Sequence, residues 1–492
     1  MTDWFRRNPL AIFLPLQALT GFFHLGLLSP WMDEALTLIT LRQPLGEVIA
    51  WAASDIHPPL YYILLYGWLR LPLGFRWEVQ ARILSVIFAL LATVALDRLW
   101  ARFLPDRLRI WLLMLWSLSP CVLLYERMCR SYTLQALLIL VVAAFLLRLA
   151  SSPTWANGVV FMLAALATLY THYVPGIAIV AAANLVLTYR RQWGPLVATD
   201  VVVVAGYAPW IWKLAASLSV WTQHTAYSLT GRPILELPLK FAYWAMSVTA
   251  GEAVPDILLF LAAATFAVAC WLLLDGVRQY PRTAVLAAIL SAFGFAGVLR
   301  WVSYPFVPAR MLFVLPFFLL LVVAGAGIRR RAGNFVLGSM LLLSIIGNWC
   351  YFQGVAFRNK EYPMPLHKIA DHIRQNSTEA NSLLLVDSAD SDPVGLDYAL
   401  DRSRPILRTT DPATETALKS RAGHVRTVWF LRNTHEVDPD APNSRIITEL
   451  RKTMRPTVLY YQPYTLLERA LMHLLGIQDP PWYAQELLEF KR

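Results

Sequence analysis

LAIFLPLQALTGFFHLGLLSPWMDEA, residues 10–35, decides how the chain folds. Its apolar part, 10–28, approaches the ~20 residues that cross a bilayer as a helix. It is longer than the apolar core of a cleaved signal, and no small-x-small site follows, so it reads as an anchor and first span. The run then breaks at Ser29-Pro30 and delivers Trp31-Met32-Asp33-Glu34. An acidic pair where a chain leaves the membrane is costly to bury and easy to hydrate. A second polar cluster follows: Asp55-Ile56-His57-Pro58-Pro59-Leu60-Tyr61-Tyr62. Carboxylates, a His and a Tyr pair on one outer loop of an apolar chain point to chemistry at the membrane surface.

The composition agrees. Hydrophobic residues make up 57% of the 492 and charged residues 15%, with a mean hydropathy of +0.49. A soluble chain carries about 25% charged residues. The 19 Trp and 20 Tyr fit an interfacial aromatic belt. The formal charge of +11 includes no basic block among stacking aromatics, which argues against nucleic acid as a partner. The four cysteines show no CxxC spacing, so neither a metal site nor a disulfide framework is expected.

Spans are predicted near 10–28, 80–101, 109–125, 132–150, 155–171, 174–189, 195–213, 256–275, 283–304, 308–328 and 334–353. Arg6-Arg7, Arg98 through Arg109, Arg148, Arg190-Arg191, Arg278 with Arg282, and Arg329-Arg330-Arg331 lie in short loops. With eleven spans all of these clusters are cytoplasmic and the C-terminus is outside. That parity requires 58–73, PPLYYILLYGWLRLPL, to lie at the outer interface, as does 34–52. The stretch 214–255 reads as a long outer loop carrying Tyr227, Arg232, Glu236 and Lys240.

After residue 354 the composition turns polar. LLLVD (383–387), VRTVWFLR (425–432) and TVLYY (457–461) read as buried strands. Segments 365–376, 444–455 and 464–475 read as amphipathic helices, so 354–492 is expected to be a small α/β domain outside the membrane. It has no Gly-rich phosphate loop, and the chain has no internal repeat.

Each candidate site has a plain structural reading beside a chemical one. Asp33 and Glu34 can cap a helix at 34–41, and a carboxylate held that way can also act as general base. His57 sits in a turn fixed by two prolines, and Tyr61-Tyr62 directly after it supplies hydroxyls to a polar pocket with Asp55. Arg127 and Arg130, in Glu126-Arg127-Met128-Cys129-Arg130-Ser131-Tyr132, can snorkel or clamp a phosphate bidentately, with Glu126 orienting one of them. Tyr170-Thr171-His172-Tyr173 reads first as an interfacial turn, and His172 is kept as a pocket candidate. Arg310 opens an apolar span, where an ionisable group faces a cavity, a partner or the headgroups.

These residues together carry a resemblance. Trp31-Met32-Asp33-Glu34, then Asp55-Ile56-His57-Pro58-Pro59-Leu60-Tyr61-Tyr62, then Arg127-x-x-Arg130-Ser131-Tyr132, then Arg310 with Pro316, follow the order of GT-C-type membrane glycosyltransferases. The chain resembles the bacterial branch similar to protein O-mannosyltransferases and lipid A aminoarabinose transferases. The resemblance covers 1–353 in architecture, with 354–492 similar in kind to the family's outer domains. It implies a polytopic α-helical membrane protein in a bacterial inner membrane, with the C-terminal domain periplasmic or extracellular. It implies a polyprenyl-phosphate sugar donor, a lipid, glycan or protein acceptor, and inversion at the sugar carbon. By the same resemblance Asp33 is the base, Arg127, Arg130 and Arg310 hold the phosphate, and Glu34, Asp55, His57 and Tyr61 shape the pocket. A divalent cation is compatible with the family, and no residue spacing assigns one.

The different-class alternative is a transporter or flippase of a lipid-linked or envelope substrate. Such proteins place ionisable groups near the bilayer midplane in repeated halves. Here the notable polar groups fall at one face.

Overall fold

The computed structural model describes residues 4, 7–55, 57–221, 233–301, 308–386, 394–409, 411, 414, 416, 418, 425–433, 442–474 and 483–492. Ile56, Tyr227, Arg232, residues 302–307 and Asp387, all part of the sequence expectations above, lie outside them. The chain divides into two compact units. One is 1–25 with 40–356, and the other is 26–39 with 357–492.

The first unit is helical. Each expected span has a helix. Among the described residues, six helices are long and apolar enough to cross a membrane on their own: Trp77–Phe103, Tyr132–Ser151, Trp193–Ala215, Asp256–Gln279, Pro308–Ile328 and Arg330–Gln353. A seventh is the bent pair Asp106–Ser117 and Pro120–Glu126, which meet at 48°. The bend has a local cause. Pro120 cannot continue the helix before it, and Ser119 Oγ accepts the Val122 N–H to start the next one. The helices Leu10–Phe22, Trp155–Leu169 and Tyr173–Tyr189 are shorter.

The awkward segment 58–73 forms the helix Leu60–Leu69. Ten residues rise about 15 Å, half of a ~30 Å hydrocarbon core. The stretch 214–255 departs from expectation. It is not a plain loop, because Pro233–Ala250 is helical. Lys240 and Pro238 interrupt its apolar pattern, which hid the helix from a hydropathy reading.

The second unit holds a five-stranded sheet: β1 Ser382–Val386, β2 Leu407–Arg408, β3 Thr427–Asn433, β4 Arg455–Pro463 and β5 Tyr483–Lys491. The order is β2-β1-β3-β5-β4. β1 pairs parallel with β2 and β3, while β5 pairs antiparallel with β3 and β4. Strand alternation sends Leu384, Val386, Trp429, Leu431 and Leu487 to one face, with the helix Leu366–Asn376. Leu383, Leu385, Val428, Phe430 and Leu488 go to the other, with the helix Pro442–Thr453. TVLYY is a correction: it lies on the edge strand β4 and is largely exposed rather than buried.

Residues 26–39 belong to this unit by packing. Trp31 stands edge-on to Tyr362 with ring centres 5.3 Å apart. The His367 N–H donates to Ser29 Oγ at 3.2 Å. Asp33 and Glu34 fall in the first turn of the helix Met32–Thr40, where the helix dipole favours them. Glu34 is buried and Asp33 half-buried.

Candidate functional site

The helical unit gathers two arginines and two histidines from four separated stretches of sequence. The first is the Asp55–Pro59 turn. His57 Nδ1 lies 2.7 Å from the Asp55 carbonyl oxygen and 3.0 Å from Asp55 Oδ2. Its other nitrogen, Nε2, lies 3.2 Å from Arg130 Nη2. A guanidinium can only donate, so Nε2 accepts and Nδ1 carries the proton toward Asp55. The ring is thus held at both ends. Trp51 lies parallel to the His57 ring, and Tyr62 stands edge-on to both.

The second contributor is Arg130, buried between helices 120–126 and 132–151. Besides His57 it reaches the Tyr62 hydroxyl at 3.4 Å. The third is His172, in the turn after Trp155–Leu169. This turn is tied to the His57 segment, because the Leu60 N–H donates to the Tyr170 carbonyl at 2.9 Å. His172 Nδ1 accepts from the Val174 N–H and caps the helix Tyr173–Tyr189. Burial lowers its pKa to about 3, and the charges of Arg310 and Arg130 push in the same direction. Arg310 is the fourth, half-buried in the tight turns Pro308–Val314. Among the described residues its guanidinium has no hydrogen bond or ion pair. Two arginines and two histidines thus share one neighbourhood, with the Asp55 carboxylate engaged by His57. Such a cluster suits an anion.

Two expected residues do something else. Arg127 does not fit a phosphate clamp. It is buried, and its Nη1 donates to the carbonyls of Thr20, Gly21 and Phe23 at 2.8, 3.0 and 2.6 Å. Nη2 donates to His24 at 2.6 Å and Nε to the Tyr351 hydroxyl at 3.0 Å. It caps the C-terminal end of Leu10–Phe22, where carbonyls lack helical partners. Glu126 is buried beside it and accepts from Gln17 Nε2 at 2.8 Å.

Within the Tyr pair, Tyr61 turns to Ser85, with 3.2 Å between hydroxyl oxygens, and Tyr62 faces Arg130 and His57. Sequence reading missed one polar centre. Glu252 is buried and accepts from the hydroxyls of Tyr125, Tyr243 and Ser247. Its one signal was an acid placed directly after a glycine at a helix end. Among the described residues no group of three His, Cys, Asp or Glu side chains is arranged to hold a metal ion.

Asp33 and Glu34 lie in the other unit, in the first turn of Met32–Thr40.

No protein-family model matches the sequence, and no curated protein matches it by sequence. Solved structures do match by fold. ArnT from Cupriavidus metallidurans in the apo state superposes with a TM-score of 0.57 at 11% identity, covering 98% of each chain. The same protein bound to undecaprenyl phosphate gives 0.52 at 12% identity, again over 98% of each chain. The chain thus shares the fold of this ArnT over nearly its whole length.

Proposed function

We propose that the chain is a multi-pass glycosyltransferase that moves a sugar from a polyprenyl-phosphate donor to an acceptor hydroxyl at the outer face of a bacterial inner membrane. The observation that carries this reading is the pair of cations Arg130 and Arg310, gathered with His57 and His172 inside an apolar helical unit. A lipid-linked phosphate is the anion such a setting meets, and the ArnT of like fold binds undecaprenyl phosphate.

In this reading Arg310 and Arg130 hold the donor phosphate. His57 and Tyr62 fix the Arg130 guanidinium, and Asp55 fixes His57. Asp33 takes the proton from the acceptor hydroxyl, a part that rests on the sequence motif and on its place in a helix's first turn. The acceptor oxygen attacks the sugar carbon from the side opposite the phosphate. The carbon–oxygen bond to phosphate breaks, the configuration inverts, and polyprenyl phosphate leaves with the bonding pair. Fixed cations in a water-poor site stabilise that departing charge without reorganising. Residues 354–492, as a separate domain, sit on the outer side.

The test is direct binding of undecaprenyl phosphate to the purified chain, followed by turnover of its glycosylated forms. Saturable binding that weakens in Arg310→Ala supports the proposal. A wild-type chain that binds no undecaprenyl phosphate overturns it.

A further inference from the structure

The helix Leu466–Leu474, LLERALMHL, is mounted the wrong way round for a soluble domain. At 100° per residue, Leu466, Leu467, Ala470, Leu471 and Leu474 share one face. That face is exposed: Leu466 is 76% and Leu474 69% accessible, with Leu467 at 38% and Leu471 at 39%. The opposite face, with Glu468, turns toward the protein. Arg358 Nη1 lies 3.3 Å from Glu468 Oε1, and Lys360 Nζ lies 3.0 Å from Oε2.

The orientation is enforced locally. Thr465 and Glu468 form a reciprocal cap, with the Thr465 N–H donating to Glu468 Oε2 at 2.7 Å and the Glu468 N–H to Thr465 Oγ at 3.2 Å. A carboxylate locked by a cap and two cations cannot rotate outward, so the leucines cannot rotate inward.

Its partners say where this helix is tethered. The apolar helix Arg330–Gln353 ends three residues before Ala356, whose carbonyl accepts the Val254 N–H at 3.0 Å within the helical unit. Arg358 follows two residues later, and two residues span at most ~7 Å. The cation that grips Glu468 thus follows the last apolar helix by five residues of chain.

We propose that Leu466–Leu474 is a lipid-docking element that lies in the plane of the bilayer interface, with its leucine face among the upper acyl chains. An amphipathic helix with a continuous Leu face and a charged reverse face is built for that boundary. Arg469 and His473 stand beside the apolar arc and suit a headgroup layer. The proposal holds for either face of the membrane and does not depend on the sugar-transfer reading.

The experiment places a photoreactive diazirine amino acid at 467, 474 or, as control, the exposed position 371. The full chain is then reconstituted in nanodiscs of phosphatidylethanolamine and phosphatidylglycerol. Irradiation should give phospholipid adducts, read by mass spectrometry, at 467 and 474 well above 371. Leu471→Glu in the position-467 chain should abolish that adduct without shifting Tm. Equal adduct yields at all three positions, a cross-linked dimer in place of lipid adducts, or adducts that survive Leu471→Glu would each overturn the proposal.

Discussion

Arg127 and Arg130 stand three residues apart in one loop, yet their surroundings assign them different work. Arg127 satisfies four backbone carbonyls and a tyrosine hydroxyl. Arg127→Ala should therefore cost stability, about 3 kcal/mol or more, because several buried acceptors lose a charged donor together. The check is Tm of the purified variant, and the loss should be the same with or without lipid. Arg310→Ala should do the reverse. It should leave Tm near wild type and weaken undecaprenyl phosphate binding about ten- to a hundredfold, the worth of one charged hydrogen-bonding contact. Arg310→Lys should recover only part, since it keeps the charge and loses the planar fork. Asp33→Asn should lower turnover ~10²–10⁴-fold with expression and Tm intact. Turnover near wild type in that variant would remove Asp33 from the base role. His172 supplies a pH test. Its pKa lies near 3 in the free protein because burial and neighbouring cations disfavour a second proton. A bound phosphate reverses that local field and raises the pKa, so binding takes up a proton. Affinity for undecaprenyl phosphate should tighten as pH falls toward 5, and His172→Gln should flatten that slope.

At the scale of helices and strands, packing decides what propensity leaves open. The helices Leu259–Gln279 and Leu315–Ile328 run backbone to backbone. A Cβ on Gly276 would collide with the Leu321 carbonyl oxygen, and one on Gly325 with that of Leu272. Small residues let such spans approach. Gly325→Ala should lower Tm in detergent by the equivalent of at least ~1–3 kcal/mol, the usual cost of overpacking. Gly338→Ala, where a Cβ meets nothing within 4 Å, should leave it unchanged. The strands show the limits of reading pattern alone. β1 and β3 were legible as continuous apolar runs. β5, YAQELLEFK, is rich in helix-forming residues, yet it lies between β3 and β4 as an inner strand. Its burial comes from both neighbours, which local sequence does not contain. The site was legible to a similar depth. Motif order pointed to His57, Arg130 and Arg310, whereas His172 read first as part of an interfacial turn. Nothing in the sequence could separate Arg127 from Arg130, or Tyr61 from Tyr62, because that depends on which helix end or side chain each one faces.

For the whole molecule the open matter is sidedness. Each short loop carrying an arginine pair or triplet falls on one side when the helix Leu60–Leu69 is not counted as a span, and its ten residues are too few to cross. Counting it would move every later loop to the other side and put Arg329–Arg331 outside, against the usual retention of positive loops in the cytoplasm. Pro233–Ala250 adds a constraint. With Trp193–Ala215 crossing outward and Asp256–Gln279 crossing inward, it starts and ends on the outer side. The N-terminus and the Arg329–Arg331 loop should therefore be cytoplasmic, and 30–79 with 354–492 outside. Single cysteines on a cysteine-free background, exposed to a membrane-impermeant maleimide in intact cells, measure this. Arg331→Cys should react only after permeabilisation, whereas Gly46→Cys and Asp371→Cys should react at once. Labelling of residue 331 from outside would reverse the map, and with it the placing of the donor phosphate at the outer face.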